Sequence, residues 1–186
     1  LSRLGRPYGS GSYFRLSSRV IDQSLADVPT DPAARERRRR HAVAGAYALR
    51  RVEEPAVTLV GMGALMPEVV FAANRLEQLG VAADVVCVTS ADRLYRAFRA
   101  RAGLGDGDAA ILDQAFPADR ATPMVTVLDG HPHTLAFLAA IRGVRSANLG
   151  VTEFGQTGTL QELYRLHGIG PDAQISAALD LVTAKH

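Results

Sequence analysis

The sequence predicts an α/β protein: a three-layer αβα arrangement around a mostly parallel sheet of about five strands, preceded by an N-terminal orphan strand and a linker. Three observations carry this expectation. Short, continuous apolar runs end at glycine or serine, the pattern of strands buried on both faces. Each run is followed by a segment whose apolar residues recur at helical spacing. The connections are short, as in a chain that alternates strand and crossover helix.

Taken in order, residues 13–18, "YFRLSS", alternate well enough for a strand, yet no partner follows nearby. Thr30 or Asp31 can cap a short charged helix that has Pro32 at its first position and runs to about His41. Residues 42–54 complete a linker spanning 21–54. Val57, Leu59 and Val60 then form a buried strand entering a tight turn at Gly61 and Gly63. Pro67 opens a helix in which Val69, Val70, Ala73, Leu76 and Leu79 recur until Gly80 stops it. "AADVVCVTS" is a second buried strand, and Ser90 caps the helix "ADRLYRAFRARA". Residues 108–116 make a short helix, 124–128 a third buried strand, 132–142 a helix and 146–151 a fourth strand. Two helices close the chain, "TLQELYRLHG" and "PDAQISAALDLVTAKH". There is no internal repeat and no low-complexity segment.

A chain of 186 residues, 47% hydrophobic, suits one well-buried domain or one domain with an appendage, and excludes a disordered class. The formal net charge is only +2, and the basic character concentrates in "RERRRR" at 35–40, so nucleic acid is not an expected partner. Cys87 is the single cysteine, which excludes an intramolecular disulfide and a cysteine-based zinc cluster; a cytoplasmic location is expected. The opening residues have neither a methionine nor the layout of a signal peptide, so the chain reads as part of something longer. The most apolar stretch, 56–73, is interrupted by Gly61, Gly63, Pro67 and Glu68, and no membrane span is expected.

Five features invite a chemical reading. "LDGHPH" places Asp129, His131 and His133 at the C-terminal end of a strand, where open α/β sheets bind ligands. Zinc would need at least three ligands, and His41, His167 and His186 offer no companion spacing. No GxSxG-type elbow supplies a nucleophile either. The expectation is therefore a strand end and helix start first, and an interface or active-site rim second. "GLGDGDAAILDQ" holds Gly105, Asp106 and Gly107, with Asn148 as the next asparagine, but these glycines sit in a polar turn between helices and read as a loop. "GMGALMPE" lacks the third glycine and the downstream acid of a dinucleotide fingerprint, so it reads as a strand-to-helix turn. Arg37, Arg38, Arg39 and Arg40 have no aromatic interleaving and read as a solvated face or a docking surface for another protein. In "FGQTGTLQELYRLHGIG", a glycine-rich loop leads through a Thr157 or Thr159 cap into a short amphipathic helix stopped by Gly168.

This last stretch resembles the C-terminal domain of the transketolase-like thiamine diphosphate enzymes, in which "FG-x-S/T-G/A" precedes a short helix ending "LY…GI". "AVTLVGMGALMPEVVFAANRLEQLGVAADVVCVTSADRL" is similar to that domain's first two strand-helix units. "YFRLSSRVIDQ", "AGAYALR" and "VTSADRLYRA" are most similar to the homodimeric pyruvate dehydrogenases, the decarboxylating components of 2-oxo acid dehydrogenase complexes. The resemblance implies that residues 1–20 end a pyrimidine-binding domain, 21–54 are a linker and 55–186 the C-terminal domain. It also implies a structural and dimerising role within a larger homodimeric enzyme whose other domains hold thiamine diphosphate and Mg²⁺. No catalytic, cofactor-binding or metal-binding residue is expected in this chain, only the rim residues Asp129, His131 and His133. The alternative is a free-standing α/β module for a small anion or for protein docking.

Overall fold

The computed structural model describes residue 9, residues 19–153 and residues 155–184. The expected strand at 13–18, Phe154 and His186 lie outside the described residues. Within them the α/β expectation holds. Five strands form one sheet in the order β1-β3-β2-β4-β5: β1 (Ala46–Arg50), β2 (Val57–Met62), β3 (Ala83–Val88), β4 (Met124–Leu128) and β5 (Ser146–Leu149). Strands β2 to β5 run parallel, while β1 pairs antiparallel with β3 in a register that sets Tyr47 opposite Cys87.

Strand β1 corrects the sequence reading, which put residues 46–50 in the linker. "AYALR" continues an alanine-rich stretch with little strand propensity of its own. Pairing with β3 decides its conformation, and no local pattern reports that partner.

Helices cover both faces. One side carries α1 (Pro32–Ala44), α3 (Ala91–Arg101), α4 (Ala110–Ala115) and α5 (His133–Ala136); the other carries α2 (Met66–Gln78), α6 (Leu160–Leu166) and α7 (Pro171–Thr183). The alternation along the strands explains how one sheet feeds two cores. Val60, Val86, Val88 and Met124 pack under α3 and α4, against Leu94, Ala97, Ile111 and Leu112. Leu59, Val85, Val125 and Val127 point the other way, to Val69, Leu76, Tyr164 and Ala178. Each fully buried leucine, such as Leu59, Leu76 or Leu94, contributes about 1.5–3 kcal/mol of transfer free energy.

The expected caps are present. Asp31 accepts from the Ala34 N–H at 2.8 Å, with Pro32 opening α1. Ser90 accepts from the Arg93 N–H at the start of α3, and Thr159 and Glu162 form a reciprocal capping box on α6. The helix expected over 132–142 is instead the single turn of α5 followed by a 3-10 segment, Phe137–Ile141. Leu135, Leu138 and Ile141, all buried, recur every third residue, and a 3-10 repeat stacks such side chains on one face.

Candidate functional site

Strand β2 is laid down first among the parallel strands; β3 joins it on one side and β4 on the other. The chain direction of the sheet therefore switches between β2 and β4, and a crevice is expected beyond their C-terminal ends. Those ends are Met62, which leads into the turn at Gly63, and Leu128, which leads into the loop carrying Asp129, His131 and His133.

The β2 turn is built for close packing. A Cβ on Gly61 would lie 2.7 Å from both Met66 Sδ and Val69 Cγ2, so glycine is what lets α2 start directly against the strand. This supports the reading of "GMGALMPE" as a strand-to-helix turn.

The β4 loop is held from behind by the segment after β5. The Val151 N–H donates to the Gly130 carbonyl at 2.8 Å. A Cβ on Gly150 would meet that carbonyl oxygen at 2.5 Å and Pro132 Cδ at 2.8 Å. Sequence reasoning passed over Gly150, because its constraint comes from a loop 20 residues earlier in the chain.

All three predicted rim residues are exposed, and the loop brings the two histidines together. Their rings lie 4.5 Å apart between centroids and their Nδ1 atoms 2.5 Å apart. The His133 backbone N–H also points at His131 Nδ1, at 3.4 Å. Asp129 does not join them in a hydrogen bond; it borders a cleft of about 490 Å³ shared with Val151, Leu163, Tyr164, His167 and Ile169. Among the described residues no cluster of three or more His, Cys, Asp or Glu side chains could hold a metal ion.

Glu68 and Tyr164 are additions that the sequence did not single out. Glu68, in the first turn of α2, meets Arg19 at 2.7 Å, with only 11% of its side chain exposed. Its other oxygen, Oε2, is buried without a hydrogen-bond partner among the described residues. Burial and the neighbouring Glu68 carboxylate push the Tyr164 phenol up, against the opposing pull of Arg19. Cys87 is buried, and burial pushes its thiol up despite a hydrogen bond with Tyr47, so it is not an activated nucleophile.

At the opposite end of the sheet, Asp84 sits near the start of β3 with its side chain fully buried. Arg51 Nη1 donates to Oδ2 at 2.7 Å, Arg120 spans both oxygens at 2.9 and 3.0 Å, and the Val52 N–H donates to Oδ1 at 3.0 Å. Burial alone would push this carboxyl up; the hydrogen bonds from Arg120, Val52 and Arg51 outweigh it and hold Asp84 below the usual carboxylate range. An acid inside the otherwise apolar "ADVVCV" was the available signal.

The profile of the family described as transketolase-like TK C-terminal domain matches residues 45–170. The chain belongs to that family. The matched segment begins at Gly45, just before β1, which agrees with the placement of 46–50 inside the sheet. Solved structures agree on the fold. The transketolase C-terminal-like domain superposes on a split-gene transketolase described as an inactive β4 tetramer with a TM-score of 0.57 and 22% identity, covering 77% of this chain and 44% of that one. Transketolase from Leishmania mexicana gives 0.58 and 20%, covering 76% and 18%. Transketolase from Pichia stipitis, solved with sedoheptulose 7-phosphate, gives 0.58 and 18%, covering 77% and 18%. The chain thus spans less than half the length of these proteins. A search of curated proteins finds no match.

The resemblance implies thiamine diphosphate and Mg²⁺ for the parent enzyme, for which an aspartate and an asparagine oxygen would converge on the metal. Asp106 lies in the loop between α3 and α4, beside a groove that α1 also lines. Asn148 lies on β5, where its Oδ1 accepts from Thr126 Oγ1 at 2.9 Å. α1 packs on β1, and β1 and β5 are the two edges of the sheet, about 19 Å apart at the usual strand spacing. Asp106 and Asn148 therefore do not converge on one point, and residues 105–107 lie in the loop between α3 and α4. No helix of the described residues is long and apolar enough to cross a membrane.

Proposed function

We propose that this chain is the C-terminal structural and dimerisation domain of a cytoplasmic, homodimeric thiamine diphosphate-dependent enzyme of the pyruvate dehydrogenase or transketolase kind. The family match over residues 45–170 carries the proposal. In this reading the chain binds no cofactor itself, and the domains preceding it in the parent protein hold thiamine diphosphate and Mg²⁺ and perform the chemistry. Its contribution is positional: the rigid sheet presents the loop of Asp129, His131 and His133 to the rim of the neighbouring domains, at the strand ends where this architecture meets its ligands.

Immunoblotting of fresh source-cell lysate under protease inhibition, with an antibody against α7, tests the proposal. The expected result is a polypeptide several times longer than 186 residues that co-elutes with thiamine diphosphate. A lone species of this length, eluting apart from any thiamine enzyme, would overturn it.

A further inference from the structure

The two helical layers differ sharply in charge. Helix α1 carries five arginines and one glutamate, and α3 carries four arginines and one aspartate, a combined net of +7 on a chain whose total is +2. Across the sheet, α2 and α7 carry a net of −3. Helices α1 and α3 flank a groove of about 610 Å³, with Arg40, Val43, Asp92, Arg93 and Arg96 on its walls and floor.

Some of this charge is already used. Arg38 donates to the Ala26 and Asp27 carbonyls and lies over the Tyr47 ring, Arg39 pairs with Glu36, and Arg96 pairs with Asp92. Arg37, Arg40, Arg93 and Arg99 are exposed, and no ion pair or hydrogen bond occupies their guanidinium groups among the described residues. Burial pushes His41 down, and the nearby Arg37 and Arg40 push it further, a local report of the positive potential. The third wall is firm: residues 106–108 lie so close to α3 that a Cβ on Gly107 would meet the Arg96 carbonyl at 2.9 Å. Val43, 57% exposed, adds an apolar floor.

We infer that the α1/α3 groove is a docking surface for a carboxylate-rich protein segment that brings one apolar side chain to Val43. The chemistry of the walls favours protein over nucleic acid. Asp92, Asp106 and Asp108 interrupt the arginines, which opposes a ligand carrying a phosphate at every repeat but suits a peptide whose acids are spaced. The exposed aromatic of α3, Tyr95, is engaged edge-on with Phe137 at 5.2 Å and offers no free stacking platform for bases. Because the charges are exposed, binding falls steeply with salt.

The test is fluorescence anisotropy of the full chain with a labelled peptide of about 12 residues, all Glu and Asp except a central Leu, at about 50 and about 200 mM salt. Saturable binding that weakens at least about tenfold in R40E/R93E and at the higher salt, with R165E unchanged, is the expected result. The neutral pair R40Q/R93Q should show an intermediate loss, which separates charge from any change in folding. Three outcomes sink the inference: no saturable binding, equal binding by R40E/R93E, or tighter binding of an oligouridylate of the same length. A fourth is self-association of the wild type, seen by sedimentation, that R40E/R93E abolishes; the acidic layer of a second copy would then be the occupant.

Discussion

Asp84 and Asp129 both sit at the ends of strands in one sheet, yet their surroundings are opposite. Asp84, near the start of β3, is fully buried and receives hydrogen bonds from two arginines and a backbone N–H. Asp129, just past β4, is exposed beside a cleft, next to two exposed histidines and a segment held by the close approach of Gly150 and the Val151 N–H. A buried charge must be satisfied by its own chain, because water cannot reach it and an unpaired carboxylate there costs several kcal/mol. An exposed charge has no such requirement. The N-terminal edge is therefore committed to holding the fold, and the C-terminal edge is left free to face something else.

The comparison can be tested most severely at Asp84. Replacing it with asparagine leaves Arg51 and Arg120 without their carboxylate, and a loss of about 3–5 kcal/mol in urea unfolding is expected. The pH dependence should change with it. Asp84 lies below its ordinary range when folded, so the unfolded chain binds more protons between the two values. The stability it contributes is thus complete above about pH 4 and is lost progressively as pH falls below that. Asp113 and Glu162 are also held low, so the difference between wild type and D84N across this window is the quantity to read. A parallel pair of curves would mean that the triad is no anchor.

A second probe sharpens the contrast from the other edge. Gly150→Val drives a side chain into the Gly130 carbonyl and Pro132, and a loss of about 1–3 kcal/mol is expected, with the His131 and His133 NMR signals shifted. If those signals stay in place, the β4 loop does not depend on β5 for its position. Thr159→Ala removes half of the α6 capping box and should cost about 1 kcal/mol, measured by thermal unfolding. His131→Ala, at the exposed rim, should change stability by less than about 0.5 kcal/mol. A larger loss there would show that the histidine pair supports the domain rather than facing a partner.

Much of the architecture was legible because its causes are local. The runs around Val60, Val86 and Val127 announce buried strands by composition, and Asp31, Ser90 and Thr159 mark helix starts because each cap bonds a backbone N–H two or three residues away. The family resemblance rested on the same continuous stretches. The candidate site was only half legible. The position of Asp129, His131 and His133 at a strand end could be read from the pattern, whereas the closure of the two imidazoles on each other, the Gly150 buttress and the Glu68–Arg19 pair could not.

What the sequence determined by itself was the run of buried parallel strands, most of the crossover helices, their caps at Asp31, Ser90 and Thr159, and the two apolar faces of each central strand. The tertiary structure decided that "AYALR" is an antiparallel edge strand, that Arg51 and Arg120 converge on Asp84 from 33 and 36 residues away, and that nine arginines gather on one helical layer. The division has a physical basis. Backbone capping and side-chain periodicity are settled within a few residues of chain, while strand order, buried ion pairs and surface charge are settled by which distant segments the closed sheet brings into contact.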